Sequence, residues 1–299
     1  MKIQANPVPP SVNVKNPLAV AKTEKKTATK KPQLEKINKK CAQDRISQWF
    51  SQIGVNNTSS GLNQIVIDER LLQHQKMMAQ RKLSNLENIL GIALDFCLED
   101  AKKENLDPDW FFSFVTMAEE IYSPAMQQLW GQIFAVETCR PGSFSLRSLQ
   151  LLKQISQNDA HMFRTAVSLA SWRKGEATPK LIFGYYQKST MWSLFNIHKE
   201  HQLNLAEYGL GYPDLLSLMD LGLIHHSEIE SGELEINSRV EWRCAGQQMH
   251  LSVKRRGVTL MYYKFTTTGA ELFKLVSGHK HEAYVTELKH TLVNAFEID

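Results

Sequence analysis

Glu137 is the residue of this 299-residue chain whose placement most clearly calls for chemistry. It continues a stripe of Met126, Leu129, Trp130, Ile133 and Phe134, spaced by three and four residues, so all six share one helical face. A carboxylate on a buried face must be paired or protonated, because its bare desolvation costs several kcal/mol. Arg140 and Arg147 are the nearest candidate partners in sequence. Two readings stay open. One is a structural ion pair of Glu137 with Arg140 and Arg147 that locks a helix–turn–helix. The other is an acid/base carboxylate in a cleft. No second carboxylate at a suitable spacing supports the latter, so no catalytic residue is assigned.

A second set is cationic. Arg239, Arg243, Lys254, Arg255, Arg256 and Lys264 lie in a hairpin region of three strand-like runs and their turns, with Glu241 as the opposing charge, a local balance of +5. A basic hairpin of this kind can hold a phosphate backbone. Against it, residues 201–299 carry nine basic and thirteen acidic side chains, a balance of −4, and no Arg/Asn-rich helix precedes the hairpin. A structural or protein-binding hairpin is the competing reading. His198 and His201 sit three apart and could present two imidazoles to a metal, but a two-His pair without a third ligand reads as a helix surface. His225, His226, His279 and His281 read as surface loops.

Several elements must position these groups. Asp107-Pro108 opens a helix anchored by Trp110, Phe111, Phe112 and Phe114. Ser123-Pro124 opens the next, with Ser as cap and Pro at the first helical position, where its missing N–H costs nothing. Pro141-Gly142 turns the chain, and Ser143 or Ser145 caps a third helix. Before them, residues 34–50 suit a short helix, with Ile37, Cys41, Ile46, Trp49 and Phe50 as its apolar contacts, and GVNNTSSG (54–61) is a linker. Asp68 can cap a long helix over about 69–104, with Leu71, Leu72, Met78, Leu83, Leu86, Ile89, Leu90, Ala93, Leu94 and Cys97 as its apolar positions and Ser84 or Gly91 as candidate breaks. Asn85 and Asn88 on it can hydrogen-bond across helices or face solvent.

Ser156 and Asp159 start a further helix, a capping pair at the positive end of its dipole. Leu181–Tyr186 is strand-like, and 191–201 reads as helix. From about residue 203 the pattern becomes a helix (212–224), strand-like runs (233–242, 248–255, 258–266), a Thr-capped helix and a last helix (282–296) carrying Phe296. That order resembles a winged-helix module.

The run Asp107-Pro-Asp-Trp110, the helix Met126-Gln-Gln-Leu-Trp-Gly-Gln-Ile133, Glu137, and Pro141-Gly-Ser-Phe-Ser-Leu-Arg-Ser-Leu149 carry a closer resemblance. They are similar to the domain-of-unknown-function 2806 family, whose pattern is near M-Q-x-L-W-A-x-I-L-A-x-E followed by P-G-S-F-S-x-R-T-L. Gly131 stands where that family usually has Ala, and Phe134 where it usually has Leu. The resemblance implies no activity. The Leu129-Trp130…Glu137 helix alone is loosely similar to the helical part of Abi-alpha-type abortive-infection proteins.

The expected fold is therefore α+β, mainly α: a helical N-terminal body with a C-terminal winged-helix-like module containing a small antiparallel sheet. The expected segments are a disordered lysine-rich arm (1–32), a short helix and linker (33–67), a helical domain (68–202) and the winged-helix-like module (203–299). The arm and the residues that follow it to position 40 hold ten lysines against two glutamates, a balance of +8, so with a net charge of +4 the rest of the chain carries −4. Such an arm cannot bury enough apolar surface to offset its ordering entropy. It can attract nucleic acid or an anionic surface, or serve only as a solubilising tail.

Four scattered cysteines without a Cys-x-x-Cys pair argue against zinc or a disulfide framework. The sequence carries no phosphate-cradling Gly-rich loop, no G-x-S-x-G and no H-E-x-x-H, so no cofactor, no metal and no small-molecule ligand is assigned. Without an apolar leader or a run of about 18 apolar residues, the cytoplasm is the expected compartment. The expected function is a scaffold or interaction protein that associates with itself or a protein partner, regulatory or phage-defence related. The alternative is nucleic-acid binding through the arm and the basic hairpin.

Overall fold

The structure, a computed structural model, describes residues 42–55, 64–96, 105–188, 200–276 and 281–299. The arm (1–32), residues 33–41 and 56–63, Cys97, the 191–199 part of the expected helix with His198, and His279 lie outside the described residues. The chain divides into two compact units, one up to Met77 and one from Met78 to Asp299.

In the first unit, helix α1 covers residues 42–51 and helix α2 has begun by Gln64, in the element Gln64–Asp95. Asp68, the expected cap, therefore lies inside α2. A ring nitrogen of His74 meets the Ile53 carbonyl and ties the α1 turn to α2. The apolar contacts expected of α1 are absent at Ile46, Trp49 and Phe50, which are exposed.

The second unit is α+β, with helices followed by an antiparallel sheet. α2 runs unbroken through Ser84 and Gly91. Asp107 caps α3 (Pro108–Ala118) by accepting from the Asp109 N–H. α4 is Pro124–Cys139; its Ser123 makes no side-chain cap bond, so the Pro alone marks that start. Ser145 caps α5 (Leu146–Gln154), and Ser156 with Asp159 closes a reciprocal capping box on α6 (Gln157–Leu169). Trp130 and Ile133 of α4 are fully buried. Phe114 packs 5.2 Å from both Trp110 and Trp130 and 5.1 Å from Phe134, ring centre to ring centre. Phe112, expected in this cluster, points out of it and is exposed.

The helices close on one another through a polar seam. Asn85 donates to the Glu119 carbonyl at 2.7 Å and accepts from Gln127 at 3.0 Å, while Asn88 donates to Gln127 at 3.4 Å. Both asparagines therefore bond across helices. Gly131 lets α4 approach α2: a Cβ there would sit 2.5 Å from Ile92.

Among the described residues the sheet has eight strands: β1 Ser171–Arg173, β2 Lys180–Gln187, β3 Glu200–Gln202, β4 Ile229–Glu230, β5 Arg239–Cys244, β6 Gln247–Val253, β7 Val258–Lys264 and β8 Phe296–Ile298. Their order is β4-β7-β2-β1-β5-β6-β8, with β3 beside β2. The sheet is thus larger than the small one expected and takes β1, β2 and β3 from before residue 203. His201 lies on β3, not on a helix. β5 and β6 form a hairpin, but β7 pairs with β2 and β4 instead of β6. Four strand spacings between β6 and β7 would span about 19 Å if flat. The link from 254 to 257 is short and turns at Gly257, where φ is +75°. The sheet therefore curls, so that Leu251 of β6 and Leu260 of β7 line one cavity.

Helices α7 (Tyr212–Asp220), α8 (Thr267–Phe273) and α9 (Glu282–Leu292) complete the unit. α9 stops before Phe296, which instead starts β8 and pairs with Val253. Tyr284 of α9 is fully buried and donates to the Ile182 carbonyl of β2 at 2.6 Å. Among the described residues no helix is long and apolar enough to cross a membrane.

Candidate functional site

The turn between α4 and α5 draws polar groups from three distant parts of the chain. Glu137, in the last turn of α4, is 3% exposed. One carboxylate oxygen accepts from the Gly142 N–H at 2.5 Å and the other from the Phe144 N–H at 2.8 Å. The Phe144 carbonyl accepts from the Trp110 indole at 2.8 Å. From the far end of the chain, one oxygen of Glu271 on α8 accepts from the Ser145 N–H at 2.7 Å, the Ser145 hydroxyl at 2.9 Å and the Ser148 hydroxyl at 2.6 Å. A carboxylate at a helix start suits both the free N–H groups and the helix dipole. α8 can deliver it because Gly269 lies against backbone: a Cβ there would stand 2.0 Å from the Leu223 carbonyl oxygen.

The guanidinium clamp expected on Glu137 is corrected accordingly. Among the described residues neither Arg140 nor Arg147 forms an ion pair with it. Arg140 is the exposed C-cap of α4, and its carbonyl accepts from Ser143. Arg147 reaches towards Gly222, its Nη2 3.6 Å from the place a Cβ would occupy there. The physical reason is proximity. The Pro141-Gly142 turn, with φ +82° at Gly142, brings backbone N–H groups onto the carboxylate. Charge-assisted bonds of that kind satisfy it without a counter-ion. Every polar partner here is internal, so the arrangement holds the turn and the start of α5 in place.

The six basic residues do not converge. Arg239 and Arg243 share the exposed face of β5, and Arg239 lies 3.5 Å from Asp299. Lys254, Arg255 and Arg256 occupy the exposed β6–β7 link, where Lys254 donates to the Val293 carbonyl. Lys264 lines the cavity inside the curled sheet. Arg243 also borders a separate open recess of about 510 Å³ with Trp172, Arg173, Lys174, Gln248 and His250. Glu241 in that recess pairs with Lys174 at 2.7 Å, and the lysine holds its carboxyl below the usual range.

Cys139 and Cys244 are buried thiols outside any disulfide, and burial pushes the Cys244 thiol up to about 11. His225 and His226 are exposed, while His281 caps α9 by accepting from the Tyr284 N–H. Among the described residues no group of three His, Cys, Asp or Glu side chains could hold a metal ion.

A third feature escaped the sequence reading, which merged all apolar positions of α2 into one stripe. From Met78 on, Ile89 and Ala93 are buried, whereas Leu83, Leu90 and Leu94 are 57%, 52% and 67% exposed. The helix thus carries a second apolar stripe beside its buried one.

A family model described as "Protein of unknown function (DUF2806)" matches residues 69–289. The chain belongs to the DUF2806 family. The match covers both the turn clamped by Glu137 and Glu271 and every strand of the sheet except β8. No curated protein and no solved structure matches. DUF2806 membership fixes kinship and leaves activity to be argued from geometry.

Proposed function

We propose that this DUF2806 protein is a non-enzymatic interaction protein that assembles with a second copy of itself through α2. The observation that carries this reading is the exposed leucine stripe of Leu83, Leu90 and Leu94. With half-buried Leu86 it follows the three-and-four spacing of a coiled-coil seam. In sequence the same spacing runs back through Ala79 and Lys76 to Leu72, a polar position within an apolar series, as seams that specify register have. A leucine seam complements itself, and a two-fold pairing buries the same patch on both copies. In the first unit, taken by itself, Ile46, Trp49, Phe50 and Leu71 are also exposed.

Light scattering tests the proposal. The wild-type chain runs as a dimer or larger, and Leu83→Glu with Leu90→Glu runs as a monomer with unchanged melting. A strictly monomeric wild type contradicts it. A phage-response role within this class rests on the likeness of the Leu129-Trp130…Glu137 helix to Abi-alpha proteins. Plaque counts on cells expressing wild type or the Leu83→Glu, Leu90→Glu variant test that role.

One observation favours a second reading, nucleic-acid binding. The recess at β5 sets Trp172 among Arg173, Lys174 and Arg243, and a base stacked on an aromatic ring between cations is a common single-strand mode. Binding that weakens steeply with salt and is lost in Arg243→Gln with Trp172→Ala supports it. Binding that is absent at low salt ends it.

A further inference from the structure

The cavity inside the curled sheet has a charge balance that the protein itself does not settle. Its volume is about 430 Å³, and β2, β5, β6, β7 and β8 all contribute to its lining. That size falls in the range of small-molecule sites, about 300–1,000 Å³. Arg173, Lys180 and Lys264 face it against a single carboxylate, Glu176. Glu176 is already shared, with Arg173 at 3.4 Å and with Lys180. Lys264 has no side-chain partner among the described residues.

The lysine at the centre is the least expected residue. The Lys180 side chain is 5% exposed. Its ammonium lies 4.6 Å from the centre of the Tyr262 ring and 5.2 Å from that of Trp242. A buried cation costs several kcal/mol unless its surroundings compensate, and aromatic faces plus one shared carboxylate do so only in part. Trp242 is 4% exposed, and its indole N–H has no partner among the described residues. A buried donor left unmade costs about 1–3 kcal/mol.

A purely structural role, stitching β1 to β2 through Arg173, Glu176 and Lys180, accounts for those three residues. It leaves the surplus charge of Lys264 and the idle Trp242 donor without a purpose. Val240, Leu251, Leu260 and Phe296 supply an apolar wall beside the charged end.

We propose that this cavity binds a small organic anion, one carboxylate or phosphate group on an apolar body. The anion sits between Lys180 and Lys264, takes the Trp242 N–H, and lays its body against Val240, Leu251 and Phe296. This site is independent of the α2 seam.

Isothermal titration of the full chain with benzoate, phenyl phosphate and benzylamine tests it. Saturable one-site binding of at least one anion, with none for benzylamine, is the expected result. Benzoate alone assigns a carboxylate and phenyl phosphate alone a phosphate. Lys264→Gln, at a partly exposed position, weakens the binding at least about tenfold, the scale of one lost charge-assisted bond, and keeps the wild-type melting temperature. Trp242→Phe keeps the ring and weakens binding by a smaller factor. The proposal is overturned if neither anion saturates by about 10 mM, a concentration weaker than ordinary ligand affinities. It is equally overturned if benzylamine binds as well or if Lys264→Gln binds undiminished.

Discussion

The α4–α5 turn and the cavity of the curled sheet both gather charged side chains in poorly exposed places, and they differ in whether the charges are satisfied. At the turn, two carboxylates meet five N–H and O–H donors, all from the protein. In the cavity, three cations face one carboxylate that pairs with two of them, and an indole N–H has no partner among the described residues. A saturated cluster is a fastener. An unsaturated one, in a space large enough for a ligand, is a place where something else completes the set. Removing a residue from the first is expected to cost stability, and from the second, binding.

The largest effect that separates them is expected at Glu137. Glu137→Ala strands two backbone donors, one of them the buried Phe144 N–H. Urea unfolding is expected to show a loss of about 3 kcal/mol, with Glu271→Ala close behind. An unchanged midpoint for either would erase the distinction.

How dry the sheet is behind Trp242 can be read from Cys244, fully buried next to it on β5. Burial raises its thiol from an ordinary 9.0 to about 11. The folded state therefore holds that proton more tightly, so the contribution to stability is complete below pH 9 and declines as pH rises through 11. The whole decline amounts to about 2–3 kcal/mol. Subtracting the alkaline stability profile of Cys244→Ala from that of wild type isolates it, since the buried Tyr284 and Tyr263 phenols are raised as well. Equal profiles would mean that water reaches the wall.

On the helical side, closure is tested by one methyl group. Gly131→Ala places a Cβ 2.5 Å from Ile92 Cγ2. The gain in helix propensity, about 1 kcal/mol, does not offset this overlap, and a net loss of about 1 kcal/mol is expected. Ile92→Ala in the same chain should relieve the overlap, leaving only its own cavity cost. A Gly131→Ala variant as stable as wild type would show that α2 and α4 have room to part. The smallest change is expected for Lys264→Gln, within about 0.5 kcal/mol in the same unfolding assay.

Local chemistry made half of this legible beforehand. Asp107-Pro108, Ser145, and Ser156 with Asp159 each announce a helix start within a few residues, and all three caps form. The period of Trp130, Ile133 and Glu137 places them inside, as found. What stayed hidden depends on partners far along the chain. Glu271 lies 126 residues from Ser145, and nothing near either residue signals the other. The clamp on Glu137 was assigned to guanidinium because side chains are visible in a sequence and backbone N–H groups are not. β8 was read into α9 because Phe296 continues a helical spacing that ends physically at Leu292. Leucine reads the same on both stripes of α2, so the exposed stripe appears only when α4 and the turn before it cover the other. Lys180 directly precedes the apolar run Leu181–Tyr186, and only the curl of the sheet encloses it.

Amide hydrogen exchange at Phe144 reports most directly on whether Glu137 holds the turn by its backbone. The expected result is slow exchange in the wild-type chain, close to the slowest amides of α4, and a loss of most of that protection in Glu137→Ala, which removes the acceptor. Exchange at the rate of an unprotected peptide in the wild type, or equal protection in the variant, would contradict the account.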